Sequence, residues 1–441
     1  RFGAGNKYGT FPSVSAAWNV SEEDFWKSSV INNLKFRTSW GQTGNQNIDN
    51  FVAQGLYLPG YNYAGIAGIA TAPNGLPNSG LTWETTTQTN LGADLSLFKG
   101  RLSLSADYWT KDTKDLLFQV ALPNTSGYES FVTNIGEVSN KGFDFQLGGT
   151  IIKNDNFSWN SDFNISFINN KVKKLPGGND IQQTERYLFG GVVSILREGE
   201  SLGSFYLYES NGVFSTAKEA AEAGYIDKIS KSNGGQPVAG DARWVDQNKD
   251  GVIDTKDKII AGNPIPDFTG GLNNTFKYKG LSLDAFFLFS KGNDVYNNFR
   301  TDLVRGFNTN YLKENLDAWK QEGDITDVPR NVLLDPANNS EGVVARPSTR
   351  FLEDGSFIKL KTVTLTYEFP NSVLEKLKLS GLKVYAKGTN LLTITKYSGF
   401  DPEVSVAQNN NAGQNGGFQF GIDRGLYPLS KSITLGLSLD F

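Results

Sequence analysis

The chain has 441 residues, 42 Lys+Arg against 46 Asp+Glu, a formal net charge of −4, and no His, Cys or Met. Near-balanced charge offers no broad positive field, so nucleic acid is not an expected partner. Missing imidazoles and thiols exclude Ser-His-Asp triads, cysteine nucleophiles, zinc centres built on Cys or His, and disulfides. Paired carboxylates remain as chemistry, but none stands in a helpful context, and no enzyme is expected. No apolar run reaches the roughly eighteen residues of a membrane helix. The chain opens at Arg1 and carries no signal peptide, which fits either a cytoplasmic protein or a fragment of a longer one. The strands favour the fragment.

Period-two alternation dominates, and it gives a strand one apolar and one polar face. In 157–167, Phe157, Trp159, Phe163, Ile165 and Phe167 share one face, and Asn160, Asp162, Asn164 and Ser166 the other. The pattern predicts eleven strands, at about 11–20, 32–42, 83–98, 101–116, 137–152, 157–171, 267–278, 281–291, 351–369, 382–396 and 429–441. Residues 1–5 read as the tail of one more.

The connections alternate strictly. Short ones fall at 21–31, Lys99-Gly100, 153–156, Lys279-Gly280 and 370–381. Long ones fall at 43–82, 117–136, 172–266, 292–350 and 397–428. A soluble sandwich has no reason to keep that order. A membrane barrel does, with short periplasmic turns and long outer loops. The expected fold is therefore all-β: an antiparallel up-and-down transmembrane β-barrel whose last strand descends to the periplasm at Phe441. Asp, Asn, Ser and Thr on one face suit a wet lumen, and Leu, Phe, Ile and Ala on the other suit lipid. Trp40, Trp83, Tyr108, Trp109, Tyr278, Tyr367, Phe369, Tyr385 and Phe441 lie near strand ends, where aromatic girdles sit. Short helices are expected at 215–224 and at 311–320, the second with Leu312, Leu316 and Trp319 at helical spacing.

Taken in order, nine blocks resemble the SusC/RagA family of TonB-linked outer-membrane transporters. They are RFG…KYGTFPSVSAAWNVSEEDFW, LKFRTSWGQTGNQNI, LTWETTTQTNLGADLSLFKGRLSLSADYWTKDTKDLL, NIGEVSNKGFDFQL, REGESLGSFYLYESNGVF, GNPIPDFTGGLNNTFKYKGLSLDAFF, FLEDGSFIKLKTVTLTYEFP, GTNLLTITKYSGFDPEV and GLYPLSKSITLGLSLDF. The resemblance implies a 22-stranded barrel of which 1–441 supplies the C-terminal half. It implies an outer-membrane location in Bacteroidetes-type bacteria, a SusD-like surface lipoprotein as lid, and import of glycans or oligopeptides driven through TonB. The plug, the TonB-contacting segment and the N-terminal half of the barrel are missing from this sequence. The resemblance also makes Phe441 an aromatic-terminated assembly signal.

One loop, 172–266, carries a sharp local motif at 246–257, DQNKDGVIDTKD. Asp246, Asn248, Asp250, Asp254 and Asp257 fall at positions 1, 3, 5, 9 and 12 of an EF-hand-type calcium loop. Gly251 stands at the sharp turn, and Val252 can offer its carbonyl. Position 12 is Asp rather than the usual bidentate Glu. The expectation is a structural calcium; the bland alternative is an Asp-rich turn satisfied by its own hydrogen bonds. Loop tyrosines Tyr57, Tyr61, Tyr63, Tyr206 and Tyr208 suit sugar stacking, but loop packing explains them equally. Glu353 and Asp354 are a poor acid pair, since neighbours on a strand point to opposite faces.

Two other functions compete with glycan or peptide uptake. One is a siderophore or cobalamin receptor, against which the GNPIPDF and FLEDGSF blocks argue. The other is a soluble β-rich carbohydrate-binding or glycosidase module, which predicts face-packed sheets and no ordered loop lengths.

Overall fold

The computed structural model describes all residues except 4, 72–75, 123, 129, 185–191, 231, 306–309, 333–339, 342–343 and 404–419. Eleven strands form one antiparallel sheet: β1 (Ser13–Asn19), β2 (Ile31–Asn45), β3 (Glu84–Leu97), β4 (Leu102–Lys114), β5 (Glu137–Lys153), β6 (Phe157–Lys174), β7 (Phe268–Tyr278), β8 (Leu281–Lys291), β9 (Phe357–Glu368), β10 (Gly381–Thr395) and β11 (Ser432–Asp440). Each pairs only with its neighbours in the chain, so the sheet is a simple meander. All eleven expected strands are present, and the short and long connections alternate as the sequence predicts.

Register lines carry the two-faced pattern across the sheet. Trp18, Phe36, Ala93, Ala106, Phe145, Ile165, Gly270, Phe289, Ile358 and Ile394 are successive cross-strand partners from β1 to β10. The adjacent line on the other face runs Asn19, Lys35, Asp94, Ser105, Gln146, Asn164, Gly271. A slip of one residue in any pair would exchange the faces, so burial pins the register throughout. Apolar side chains on the first face are open rather than packed on a second layer: Ile433 is 78% exposed and Leu435 79%. A soluble sandwich would cover this face, whereas a bilayer does so for a barrel.

Turn chemistry closes the short ends. Between β3 and β4, Phe98, Lys99 and Gly100 all take positive φ, of 54°, 60° and 81°. Gly100 adopts that conformation without the Cβ clash that other residues meet. The β9–β10 connection contains an unforeseen helix, α1 (Asn371–Leu377), stopped by Lys378 in the left-handed conformation.

Three expectations need correction. The strand read at 351–369 is two: Leu352–Asp354 pairs with Asp294–Tyr296 in a loop sheet, and β9 starts after a break at Gly355-Ser356. A Cβ on Gly355 would lie 2.4 Å from the Asn293 side-chain amide and 2.7 Å from a Val295 methyl, so a larger residue would have to push these side chains aside. The helix read at 311–320 is a 3-10 turn at Lys313–Asp317. Leu312 packs against the loop core while Leu316 is exposed, and Trp319 turns to donate its indole N–H to the Ser215 carbonyl at 3.1 Å. Not all the strand-end aromatics belong to a girdle. Trp109 donates to Asp144 from the polar face at 3.0 Å, and Trp83 packs with Phe2 and Phe11. The helix read at 215–224 is present as Ala217–Ala221, capped by the Thr216 hydroxyl.

The two faces differ in their tolerance of charge. Val363→Arg places a cation on the apolar face of β9, at a cost of about 2–4 kcal/mol near the bilayer midplane. It should sharply reduce the folded, heat-modifiable band in outer-membrane fractions. Thr364→Arg, one residue on and facing the lumen, should leave that band near wild type. Equal loss in both variants would refute the assignment of faces.

Candidate functional site

The polar face is a wall of paired charges. Arg37 on β2 donates to Asp94 on β3 at 2.7 Å and to Asp107 on β4 at 3.0 Å, and the Ser105 hydroxyl donates to Asp94 at 2.8 Å. Cross-strand neighbours on one face meet in this way because their Cβ atoms stand close together. A groove of ≈ 510 Å³ beside them is lined by Asn33, Lys35, Asp94, Gln146, Asp162 and Asn164 among others. Fixed donors and acceptors of both signs suit a hydrated path for polar solutes or a polar protein surface.

Above the sheet, the long loops pack on one another. Val193, Phe205, Leu207, Tyr296, Val304, Phe351 and Ile422 form one buried cluster. It draws on the β6–β7, β8–β9 and β10–β11 loops, so three excursions share one core. Small sheets stiffen it: one joins Ile181–Thr184, Val192–Leu196, Ser204–Tyr208 and Lys258–Gly262, and another joins Leu352–Asp354, Asp294–Asn297 and Ile422–Asp423.

Buried charges tie the loops together at specific points. Lys359, at the loop end of β9 and 2% exposed in its side chain, is held by Asp401 and Glu403, and Glu403 also takes Lys361 at 2.9 Å. This anchors the β10–β11 loop to the inner wall. Glu353 accepts from Asn297, Arg300 and Ser398, joining that loop to both ends of the β8–β9 loop. Its neighbour Asp354 faces elsewhere and takes Lys291 at 3.3 Å. Arg346 pairs with Asp227 at 2.8 Å and lies 4.5 Å above the Trp244 ring, which joins the β8–β9 and β6–β7 loops. These anchors are ordinary Lys, Arg, Asp and Glu scattered through polar loops and the loop end of β9. Only the near-total burial of Lys359 and Arg346 distinguishes them, and linear sequence does not carry it.

The sequence-derived sites fare differently. Tyr206 and Tyr208 are buried, with Lys258 over both rings. Burial there lowers the Lys258 ammonium to about 8. These two tyrosines pack the loop core, and no sugar reaches them. Tyr57 is exposed, and the side chains of Tyr61 and Tyr63 lie outside the described residues. Phe441 is 93% exposed, one residue past β11.

In the 246–257 loop, Gly251 has a φ of 77° and donates its N–H to Asp246 at 2.8 Å. Val252–Ile253 forms a two-residue strand beside Ile226–Asp227, with Ile253 fully buried. Asp257 is fully buried and accepts from the N–H groups of Gln247 and Asp254. Asn248 and Asp250 bond each other at 3.0 Å. Among the described residues, no three acidic side chains converge as a metal cage. Internal donors close much of the loop, although Asp246 Oδ1 is sealed from solvent without a partner.

A two-faced meander under a packed loop canopy defines an outer-membrane receptor barrel, and comparison with known proteins agrees. Residues 1–391 match the family described as TonB dependent receptor-like, beta-barrel, and the chain belongs to that family, in its SusC/RagA class. It is 37% identical to TonB-dependent receptor P3 of Formosa agariphila, covering 100% of this chain and 42% of that protein. It is 30% identical to TonB-dependent receptor SusC of Bacteroides thetaiotaomicron, covering 100% of this chain and 41% of that protein. The structure of the RagAB peptide transporter superposes with a TM-score of 0.80 at 28% identity, covering 100% of this chain and 44% of that one. The chain thus spans less than half the length of the relatives it matches.

Lys359 offers a direct test of the anchoring network. Lys359→Met leaves Asp401 without its cation and should loosen the β10–β11 loop by roughly 3 kcal/mol. Limited proteolysis should then cut within 397–428 while the barrel band persists. An unchanged digestion pattern would show that the ion cluster does not hold the loop.

Proposed function

We propose that this chain supplies the C-terminal barrel strands and outer loops of a TonB-dependent importer that takes up glycans or oligopeptides together with a SusD-like surface lipoprotein. The observation that carries the reading is the superposition of the whole described sheet and loop canopy on the RagAB peptide transporter. Three loops whose described residues share one core are a suitable seat for a lidding partner, since preordered surfaces lose less entropy on docking. The polar inner wall suits a hydrophilic cargo.

A closed ring follows from the same reading. Among the described residues, β1 and β11 pair with one neighbour each and not with one another. An open edge in hydrocarbon leaves backbone groups unsatisfied at several kcal/mol each, roughly. We assign the completing strands, the plug and the TonB contact to an N-terminal half of the same transporter. Phe441, exposed at the end of the last strand, is the residue assigned to recognition by the assembly machinery.

Purification through an affinity tag from outer membranes tests the partner. A surface lipoprotein should come down in about equal amount with the transporter. Its absence, together with binding of an iron chelate or cobalamin, would move the assignment to the receptor class.

A second reading concerns calcium at 246–257. Its support is the sealed, unpartnered Asp246 oxygen in a loop whose sequence spaces Asn248, Asp250, the Val252 carbonyl, Asp254 and Asp257 as hard-oxygen donors. The ion would act structurally, drawing Asp257 from its backbone donors. Calcium should protect loop 172–266 from protease, and chelator should abolish the protection. Asp246→Ala with Asp250→Ala should match the chelated wild type. Indifference of the wild type to both calcium and chelator would leave a self-satisfied turn.

A further inference from the structure

We infer that the outer rim of β5 and β6 binds the phosphorylated headgroup of an outer-leaflet lipid; this rests on the membrane reading of the apolar face. Phe157 to Phe167 on β6 pair residue for residue with the whole of β7, a strand of 11 residues. That length is what a tilted strand needs to cross a bilayer. Its loop-side end is marked by an aromatic row of successive partners, Tyr108, Phe143, Phe167 and Phe268. The rings of Phe167 and Phe268 lie 5.6 Å apart.

The next two rows on this face lie just outside the row of rings. One is Thr110, Lys141 and Asn169; the other is Asp112, Ser139 and Lys171. Lys173, also exposed, is the extra residue of a bulge between Val172 and Lys174, and Lys174 continues the row opposite Glu137. Lys141 and Lys171 are therefore diagonal neighbours on adjacent strands, within mutual reach. Lys141, Lys171 and Lys173 are exposed, and among the described residues none of their ammonium groups forms an ion pair or hydrogen bond. Asp112 shares the patch, and Glu137 stands between Lys114 and Lys174 in the next row. Five lysines, Lys114, Lys141, Lys171, Lys173 and Lys174, thus stand with only two carboxylates, Asp112 and Glu137.

The cationic patch is local rather than a ring. Gln42, Thr87 and Thr89 occupy the corresponding outward positions on β2 and β3, and Lys291 on β8 is neutralised by Asp354. Unpaired like charges at close range repel and persist best where an anion lies between them. Cations directly above a row of aromatic rings and an aliphatic wall match an amphiphile with an anionic head and acyl chains. Lysine stems can lie along the rings while the ammonium groups meet phosphate.

Native mass spectrometry of the full detergent-extracted transporter complex tests this, with bisphosphorylated lipid A as the probe. Its dephosphorylated form and inorganic phosphate serve as the other arms. Only the bisphosphorylated lipid should stay bound. Lys141→Gln, Lys171→Gln and Lys173→Gln together should weaken it about a hundredfold, at roughly fivefold per lysine. Lys218→Gln with Lys256→Gln, in the loops, should have no effect. The inference is overturned by equal binding of the dephosphorylated lipid, by equal binding in the triple variant, or by inorganic phosphate binding as tightly as the lipid. Loss of a co-purifying lipoprotein in the triple variant, with lipid still bound, would overturn it in favour of a protein interface. Lipoprotein recovery in the wild type separately reports on the import reading.

Discussion

A strand in hydrocarbon must find partners for its backbone N–H and C=O groups within the sheet, and that requirement organises the molecule. It explains why each strand from β2 to β10 pairs with both chain neighbours in a continuous meander, with bulges as the only irregularities among the described ladders. It also explains why an apolar face can stay uncovered by protein: lipid takes the place of a second layer. Side-chain identity then only has to respect the alternation. Leu, Phe, Ile, Val, Ala and Gly exchange freely along the outer register lines because the solvent they meet is uniform.

The loops obey different rules. They stand in water, where a strand pair is marginal alone and stability must come from packing. The structure meets this by pooling apolar residues from three loops into one cluster and adding buried ion pairs at the seams. Lys359, Arg346 and Glu353 each bridge segments far apart in the chain. Such pairs contribute modestly to net stability, because desolvation opposes attraction. Removing one partner is costly, however, so the pairs fix which loop meets which. A canopy specified in this way presents a defined surface to a partner.

The inner wall and outer rim place charge differently. Arg37, Asp94 and Asp107 satisfy each other on the lumen side, so that face asks for nothing further. Lys141, Lys171 and Lys173 at the outer rim are left with a surplus that the chain does not answer. The contrast between a closed and an open electrostatic account on one sheet is what directs attention to an external anion.

Sequence alone determined the sheet, because period-two alternation and the order of short and long connections are local properties written residue by residue. It also made the family legible through nine blocks in order. The break at Gly355, the turn at Lys313–Asp317 in place of a helix, and the inward Trp109 were not legible. In each case a tertiary partner overrode local spacing: Asn293 crowds Gly355, Ser215 draws off Trp319, and Asp144 captures the Trp109 indole. The calcium-like motif was visible as spacing, but only the folded loop shows that Asp257 already spends both oxygens on backbone donors. Burial decides these matters, and burial depends on residues a hundred positions away. Tyr206 and Tyr208 read as candidates for sugar stacking, Lys359 as an ordinary strand residue and Arg346 as an ordinary loop residue until the loops close over them.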